Sequence, residues 1–286
     1  MEISEPLPNG DLRYDHSIDL DRQNHSHTEL YGMLMAGLTP MSNVLEIGCA
    51  TGRMGELIKQ AGHRVSGIEL NPVAAAEALL RLDEVFHGSV EEFLAQRELC
   101  QFDAVLMGDV LEHLPDPEAI LRCLSVQLGP NACLVLSVPN VAHGALRAAL
   151  LSGHWKYSSV GLLDSTHLHF FTYRSILQTL QRAGWSAEAV GATYAKPRTV
   201  NQRYHLGANA LALNVVAALA QPEEADVFQI LVRARPSNPE RQIIHEKWLG
   251  KGRVGRPFVL VLRRRIRSGF ARIQLAIQAL FGITLE

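Results

Sequence analysis

Three histidines, His113, His143 and His167, each follow a segment that reads as ending on the same side of a core, where a ligand would lie. A histidine near neutral pKa is the first choice for taking a proton from a hydroxyl group. His167, with Asp164 as an orienting carboxylate, is the preferred base; His113 ranks second, His143 is a further candidate and His169 is read as a bystander. A divalent metal is the rival use of such residues. Asp109, Glu112 and His113 stand at i, i+3 and i+4, a spacing that shares one face only if the chain is helical from Asp109. A strand end and Pro115 argue against that helix, so no metal is expected. Two more carboxylates, Glu46 and Glu69, bracket the turn Gly48-Cys49-Ala50-Thr51-Gly52. A carboxylate beside such a turn would repel a pyrophosphate but suits an ammonium or sulfonium group. An acid roughly 20 positions further on, at the end of the next strand, can accept hydrogen bonds from ribose hydroxyls.

The elements that must position these groups are legible from apolar runs. Asn43 to Ile47 reads as a buried parallel strand, Glu56 to Gly62 as a crossover helix, and Arg64 to Leu70 as a second strand ending at Glu69. Gly48 and Gly52 sit where the backbone must turn sharply and approach a ligand. Strands follow at Glu84 to Gly88, Phe102 to Met107, Cys133 to Val138, Trp185 to Val190 and Asp226 to Ala234. Helices are expected at Glu29 to Leu38, capped by Ser26 or Thr28, from Pro72 to Arg81, after Ser89, and over Glu118 to Leu128, Ala145 to Leu151, Tyr173 to Ala183 and Ala208 to Leu219. Alternating strands and helices predict an α/β fold, and Asp109 and Val110 leave the carboxyl end of the fourth strand, where ligands lie in open parallel sheets.

Glu46-Ile47-Gly48-Cys49-Ala50-Thr51-Gly52 resembles the first motif of the class I methyltransferases that use S-adenosylmethionine, and Ile68-Glu69-Leu70-Asn71 resembles their second. Ala50 departs from the family's usual glycine. The resemblance implies a Rossmann-like, seven-stranded doubly wound sheet with helices on both faces, the seventh strand antiparallel. It implies that Glu46 and the Gly48 to Gly52 loop, Cys49 included, hold the methionine end of S-adenosylmethionine, that Glu69 and Leu70 lie at the ribose, and that Ser89 and Val90 contact the adenine, Ser89 standing where the family commonly has Asp. Leu111-Glu112-His113-Leu114-Pro115-Asp116 is similar to ubiquinone-type and sugar O-methyltransferases. Leu163-Asp164-Ser165-Thr166-His167-Leu168-His169-Phe170-Phe171-Thr172 is similar to the acceptor segment of bacterial glycan-linked methyltransferases. The expected activity is therefore O-methylation of a sugar or glycan hydroxyl with a histidine base. A quinone or lipid phenol is the alternative acceptor, and a non-catalytic assembly protein that binds the cofactor is the alternative class. The N-terminal segment also resembles that of the glycan-linked enzymes, implying an arm over the cofactor; a solvated cap is the other reading.

Residues 1–40 are expected as arm and cap helix, 41–235 as the catalytic domain with acceptor insertions at 144–172 and 193–225, and 236–286 as a basic extension. Of the net charge of −2, residues 251–286 carry eight Lys and Arg against one acid, leaving the body at −9. An acidic body argues against nucleic acid as a partner. Phe258, Leu262, Ile266, Phe270, Ile273, Ile277 and Phe281 recur at helical spacing among arginines, predicting a C-terminal basic amphipathic helix that docks through 258–281 on a membrane surface, a partner protein or a second copy in a homodimer, or packs back on the acidic body. The four cysteines show no metal-like pairing and there is no signal core, which places the chain in the cytoplasm, soluble or peripheral at the membrane.

Overall fold

The computed structural model describes residues 18–219 and 225–237. The expected arm through residue 17 and the expected amphipathic helix at 258–281 lie outside the described residues. Strands β1 (Asn43–Ile47), β2 (Arg64–Glu69), β3 (Glu84–His87), β4 (Ala104–Gly108), β5 (Cys133–Pro139), β6 (Trp185–Tyr194) and β7 (Val227–Pro236) form one sheet in the order β3-β2-β1-β4-β5-β7-β6. Strands β1 to β5 pair in parallel, and β7 runs antiparallel between β5 and β6.

Continuous apolar runs such as Val44-Leu45 and Val105-Leu106 make sense because both faces of the sheet are covered. Helices α1 (Ser26–Met35), α2 (Arg53–Gln60) and α3 (Pro72–Ala78) bury Leu30, Leu34, Ile58 and Ala78 with Val44, Leu106 and Val135 on one face. Helices α4 (Val90–Gln96), α5 (Pro117–Gln127) and α7 (Tyr173–Arg182) bury Phe93, Leu121, Leu124, Ile176 and Leu180 with Leu45, Val105 and Leu134 on the other. Trp185, fully buried, donates from Nε1 to the Leu121 carbonyl at 2.8 Å, giving the indole its polar partner. Helices α6 (Gly144–Leu151), α8 (Pro197–Tyr204) and α9 (Ala210–Leu219) pack together in a side lobe whose small cores hold Leu146, Leu163, Val200 and Leu206, and Ala148, Leu213 and Val216.

The structure shifts several expected boundaries. Helix α1 begins at Ser26; neither Ser26 nor Thr28 caps it, since His25 precedes the helix without a side-chain bond and Thr28 donates to the Asp19 carbonyl at 3.2 Å. Nor does α1 stand apart from the domain, because Leu30 and Leu34 are inside the main core. Helix α2 starts at Arg53, directly after the glycine turn, and β6 continues to Tyr194 because β7 pairs with it that far. Helix α8 has no counterpart among the expected elements.

Candidate active site

The turn after β1 is fastened to β2. The N–H groups of Gly48 and Cys49 donate to the Ile68 carbonyl at 2.9 and 3.1 Å, and the Glu69 carboxylate accepts from Ala50 N at 2.9 Å and Asn71 N at 2.7 Å. Three donors of this loop thus point back at β2 rather than outward. A pyrophosphate loop needs those donors free, so the geometry disfavours a dinucleotide. Gly48 is required twice over: its φ is +71°, and a Cβ there would lie 2.6 Å from Cγ2 of Val110, which follows β4. Ala50 occupies the left-handed region with φ 47°, which costs a residue with a Cβ roughly 1–2 kcal/mol. This is the position where the family's usual glycine is replaced.

Beneath the loop, Glu46 is buried against Gly55 of α2, and its Oε2 has no hydrogen-bond partner. Burial pushes the Glu46 pKa up to about 8; a Gly55 N–H bond pulls the other way and the charge of Glu69 adds to the rise. An orphaned buried carboxylate with a second carboxylate beside it is a place for positive charge. Leu70, 70% exposed, presents an apolar surface next to Glu69. S-adenosylmethionine, which carries an ammonium, a sulfonium, a ribose and an adenine, fits this set; Glu46, the Gly48 to Gly52 loop, Glu69 and Leu70 are the residues that would hold it.

Other expected cofactor residues have local jobs. The Cys49 side chain is buried under the loop, and its Sγ lies where a Cβ on Gly67 would fall, so only its backbone borders the turn. Ser89 caps α4 through a reciprocal pair with Glu92 (3.1 and 2.8 Å), and the Val90 side chain is turned into the main core. Asp109, with φ 53°, accepts from the Ser137 hydroxyl at 2.7 Å and from the Gln229 amide; burial raises its pKa against these bonds. Its carboxylate therefore ties the ends of β4, β5 and β7. His25 is near enough to Asp109 for the charges to interact, and Asn24 bonds both backbone groups of Tyr194 at 2.8 and 2.6 Å, so the segment before α1 is anchored beside the site.

Sequence reasoning ranked the three histidines; the structure reorders them. His143 is fully buried, Nδ1 accepting from Ala145 N at 3.2 Å and Nε2 bonded to the Ala195 carbonyl at 2.9 Å. Both ring nitrogens are committed to capping α6 and holding β6, and burial lowers its pKa to about 4. It is not a base, which corrects that expectation. His113 and His167 do come together, ring centroids 4.8 Å apart in an edge-to-face arrangement. Asp164, buried, accepts at Oδ1 from both Thr166 N (2.9 Å) and Thr166 Oγ1 (2.7 Å), and Thr166 Oγ1 lies 3.1 Å from Nδ1 of His113. Because the threonine hydroxyl donates to Asp164, it accepts from His113, which places the proton on Nδ1 and leaves Nε2 with its lone pair. Asp164 thus orients His113 through Thr166, while it reaches His167 by its charge; burial, and then the charge of His113, lower the His167 pKa.

One participant escaped the sequence reading: the link from Thr166 to His113 carries no signal, since its partner is 53 residues away. Glu112, weighed in the sequence only as a metal ligand beside Asp109 and His113, lies in a single 3-10 turn (Leu111–His113), and Leu168 N and His169 N donate to its carbonyl at 2.8 and 3.0 Å. That crossing chain seals the side chain: Glu112 is 1% exposed, neither carboxylate oxygen has a partner, and burial, aided by Asp109, raises its pKa well above the usual carboxylate range. A separate cavity of ≈ 1120 Å³, bordered by Asp103, Pro130, Glu188 and Arg235, opens at the opposite edge where the parallel strands begin. Ligands of open parallel sheets bind at the carboxyl ends, so the chemistry belongs with the glycine turn and the histidines.

The family model described as "Methyltransferase domain" matches residues 22–190. Ubiquinone biosynthesis O-methyltransferase of Aromatoleum aromaticum is 30% identical over 171 residues, covering 57% of this chain and 71% of that protein. The protein of the same name from Xanthomonas campestris pv. campestris is 32% identical over 152 residues, 51% of this chain and 61% of its own length. The chain therefore spans between three fifths and three quarters of these relatives. Magnesium protoporphyrin IX methyltransferase from Synechocystis, solved with bound S-adenosylhomocysteine, shares the fold with a TM-score of 0.52 at 17% identity, over 79% of this chain and 91% of that one. With the glycine turn, its two carboxylates and the sheet order all in agreement, the chain belongs to the methyltransferase-domain family and is an S-adenosylmethionine-dependent methyltransferase.

Proposed function

We propose that this enzyme methylates a hydroxyl oxygen, and that His113 rather than His167 takes the hydroxyl proton. The observation that carries the reading is the chain Asp164–Thr166–His113, which fixes the tautomer and leaves Nε2 as the acceptor. S-adenosylmethionine, when bound, supplies a methyl group on a sulfonium centre, with a thioether as the leaving group. The enzyme's own work is alignment and proton removal. As the acceptor oxygen forms its bond to the methyl carbon, its proton passes to His113 Nε2 and from there to solvent.

A phenolic hydroxyl on a quinone-like ring is the acceptor best supported. Two relatives bear the name ubiquinone biosynthesis O-methyltransferase, and an aromatic wall stands beside the bases. Trp155 lies 5.6 Å from Phe170, which lies 6.3 Å from His167, with Tyr157 and Leu168 exposed at the rim. Flat rings stack on such walls. A sugar hydroxyl is the second reading, favoured by the likeness of Leu163 to Thr172 to glycan-linked enzymes. The test is methyl transfer from tritium-labelled S-adenosylmethionine to a catechol and to sugar nucleotides, by wild type and His113→Gln. Label on oxygen, with kcat lowered about 10²–10⁴-fold in the variant and cofactor affinity retained, is the expected result. Label arriving on nitrogen or carbon would overturn O-methylation, and full activity in His113→Gln would overturn the base.

A further inference from the structure

Glu112, His113 and His167 each bring one ligand atom to within 4.8 Å of the others. Their lone pairs have no protein donor. Both oxygens of the fully buried Glu112 lack a partner, Nδ1 of His167 is buried and unpartnered, and Thr166 occupies Nδ1 of His113 so that Nε2 is the nitrogen left over. Burying an unsatisfied polar atom is costly, and here two residues, Glu112 and His167, bear that cost at one point. A proton on Glu112 would supply a single donor, whereas a cation is shared by all three.

We propose that Glu112, His113 and His167 bind one divalent first-row transition cation. Two imidazoles and a carboxylate favour ions such as Zn²⁺, Mn²⁺, Fe²⁺ or Co²⁺ over Mg²⁺ and Ca²⁺, which prefer oxygen throughout. The surroundings are those of metal-bound histidine, whose second ring nitrogen is held by an outer partner. Thr166, backed by Asp164, holds the His113 ring, and the Leu162 carbonyl bonds to that of His167. Ligand atoms about 2.1 Å from an ion are roughly 3–3.5 Å apart, so side-chain rotations closing the cluster by one to two ångströms complete the site. The set differs from the one the sequence suggested: Asp109 is withdrawn to Ser137 and Gln229, and His167 arrives from the acceptor segment.

Three protein ligands leave positions open for an acceptor oxygen. With the ion bound, His113 Nε2 is a ligand and no longer the base, so the hydroxyl exchanges its O–H bond for an O–metal bond and loses its proton to water; the transfer to His113 belongs to the metal-free enzyme. This use of the ion rests on the O-methylation reading; the ion's binding does not.

The test is Co²⁺ titration of the full chain after chelator treatment, read by visible absorption, in wild type, Glu112→Gln, His167→Asn and, as control, His169→Asn. Saturable uptake of one Co²⁺ per chain by wild type and the control, weakened at least tenfold in the two ligand variants, is expected. Unchanged S-adenosylmethionine affinity in calorimetry verifies that each variant is folded. Absence of saturable uptake in wild type, or equal affinity in the ligand variants, overturns the site. Methylation that depends on His113 yet survives chelator treatment at full rate overturns the ion's role and leaves O-methylation standing.

Discussion

At the scale of single residues, Glu46 makes the sharpest prediction. Its pKa lies at 4.5 in an ordinary setting and about 8 in the fold. Between those values the folded protein holds a proton that the unfolded chain has released, so this group's contribution to stability falls as pH rises through the window. Glu46→Gln removes that slope, and thermal melts without cofactor are expected to show the variant gaining on wild type as pH approaches 8. A cationic ligand stabilises the ionised form, so S-adenosylmethionine binding below about pH 8 should release a proton and tighten with rising pH. Calorimetry in buffers of different ionisation enthalpy measures that release; a binding heat independent of buffer would refute it. His143 carries the opposite lesson. Its position after β5 was readable, but its two bonds were not: Ala195 is 52 residues away, and histidine is not among the residues that usually mark a helix N-cap.

Elements were legible to the degree that they carry an apolar pattern. All seven strands were found; β1, β4 and β5 were the plainest, because parallel strands buried on both faces read as continuous apolar runs. Helix α8 was missed because Val200 is its one buried residue and Arg198, Asn201, Gln202 and Arg203 give it no apolar stripe. The contact between the turns after β1 and β4 was also invisible, since nothing in the string joins Gly48 to Val110. That contact is testable. Gly48→Ala meets both the positive φ and the 2.6 Å approach to Val110, and a loss of about 2–4 kcal/mol in denaturant unfolding is expected. Adding Val110→Ala should recover part of it, the steric share; no recovery in the double-mutant cycle would mean that backbone strain alone sets the cost.

For the whole molecule, the division is between a sheet sandwiched by two helical layers and a side lobe with two small cores. Amides of β1, β4 and β5 should exchange with deuterium orders of magnitude more slowly than those of α8 and α9, because fewer buried apolar contacts hold the lobe closed. Acceptor binding should slow exchange in the lobe and S-adenosylmethionine in the β1 turn; the reverse pattern would misassign the two halves of the site. Among the described residues no helix is long and apolar enough to cross a membrane. The strand order has a further consequence, for the time course of synthesis. Strand β7 lies between β5 and β6 and supplies Gln229 to Asp109. A nascent chain that has emerged only as far as β6 has no place to put that strand, and the edge of β5 is bare. This edge of the sheet is therefore finished only after β7 has left the ribosome, so the enzyme should acquire its activity no earlier than the emergence of residues 227–236.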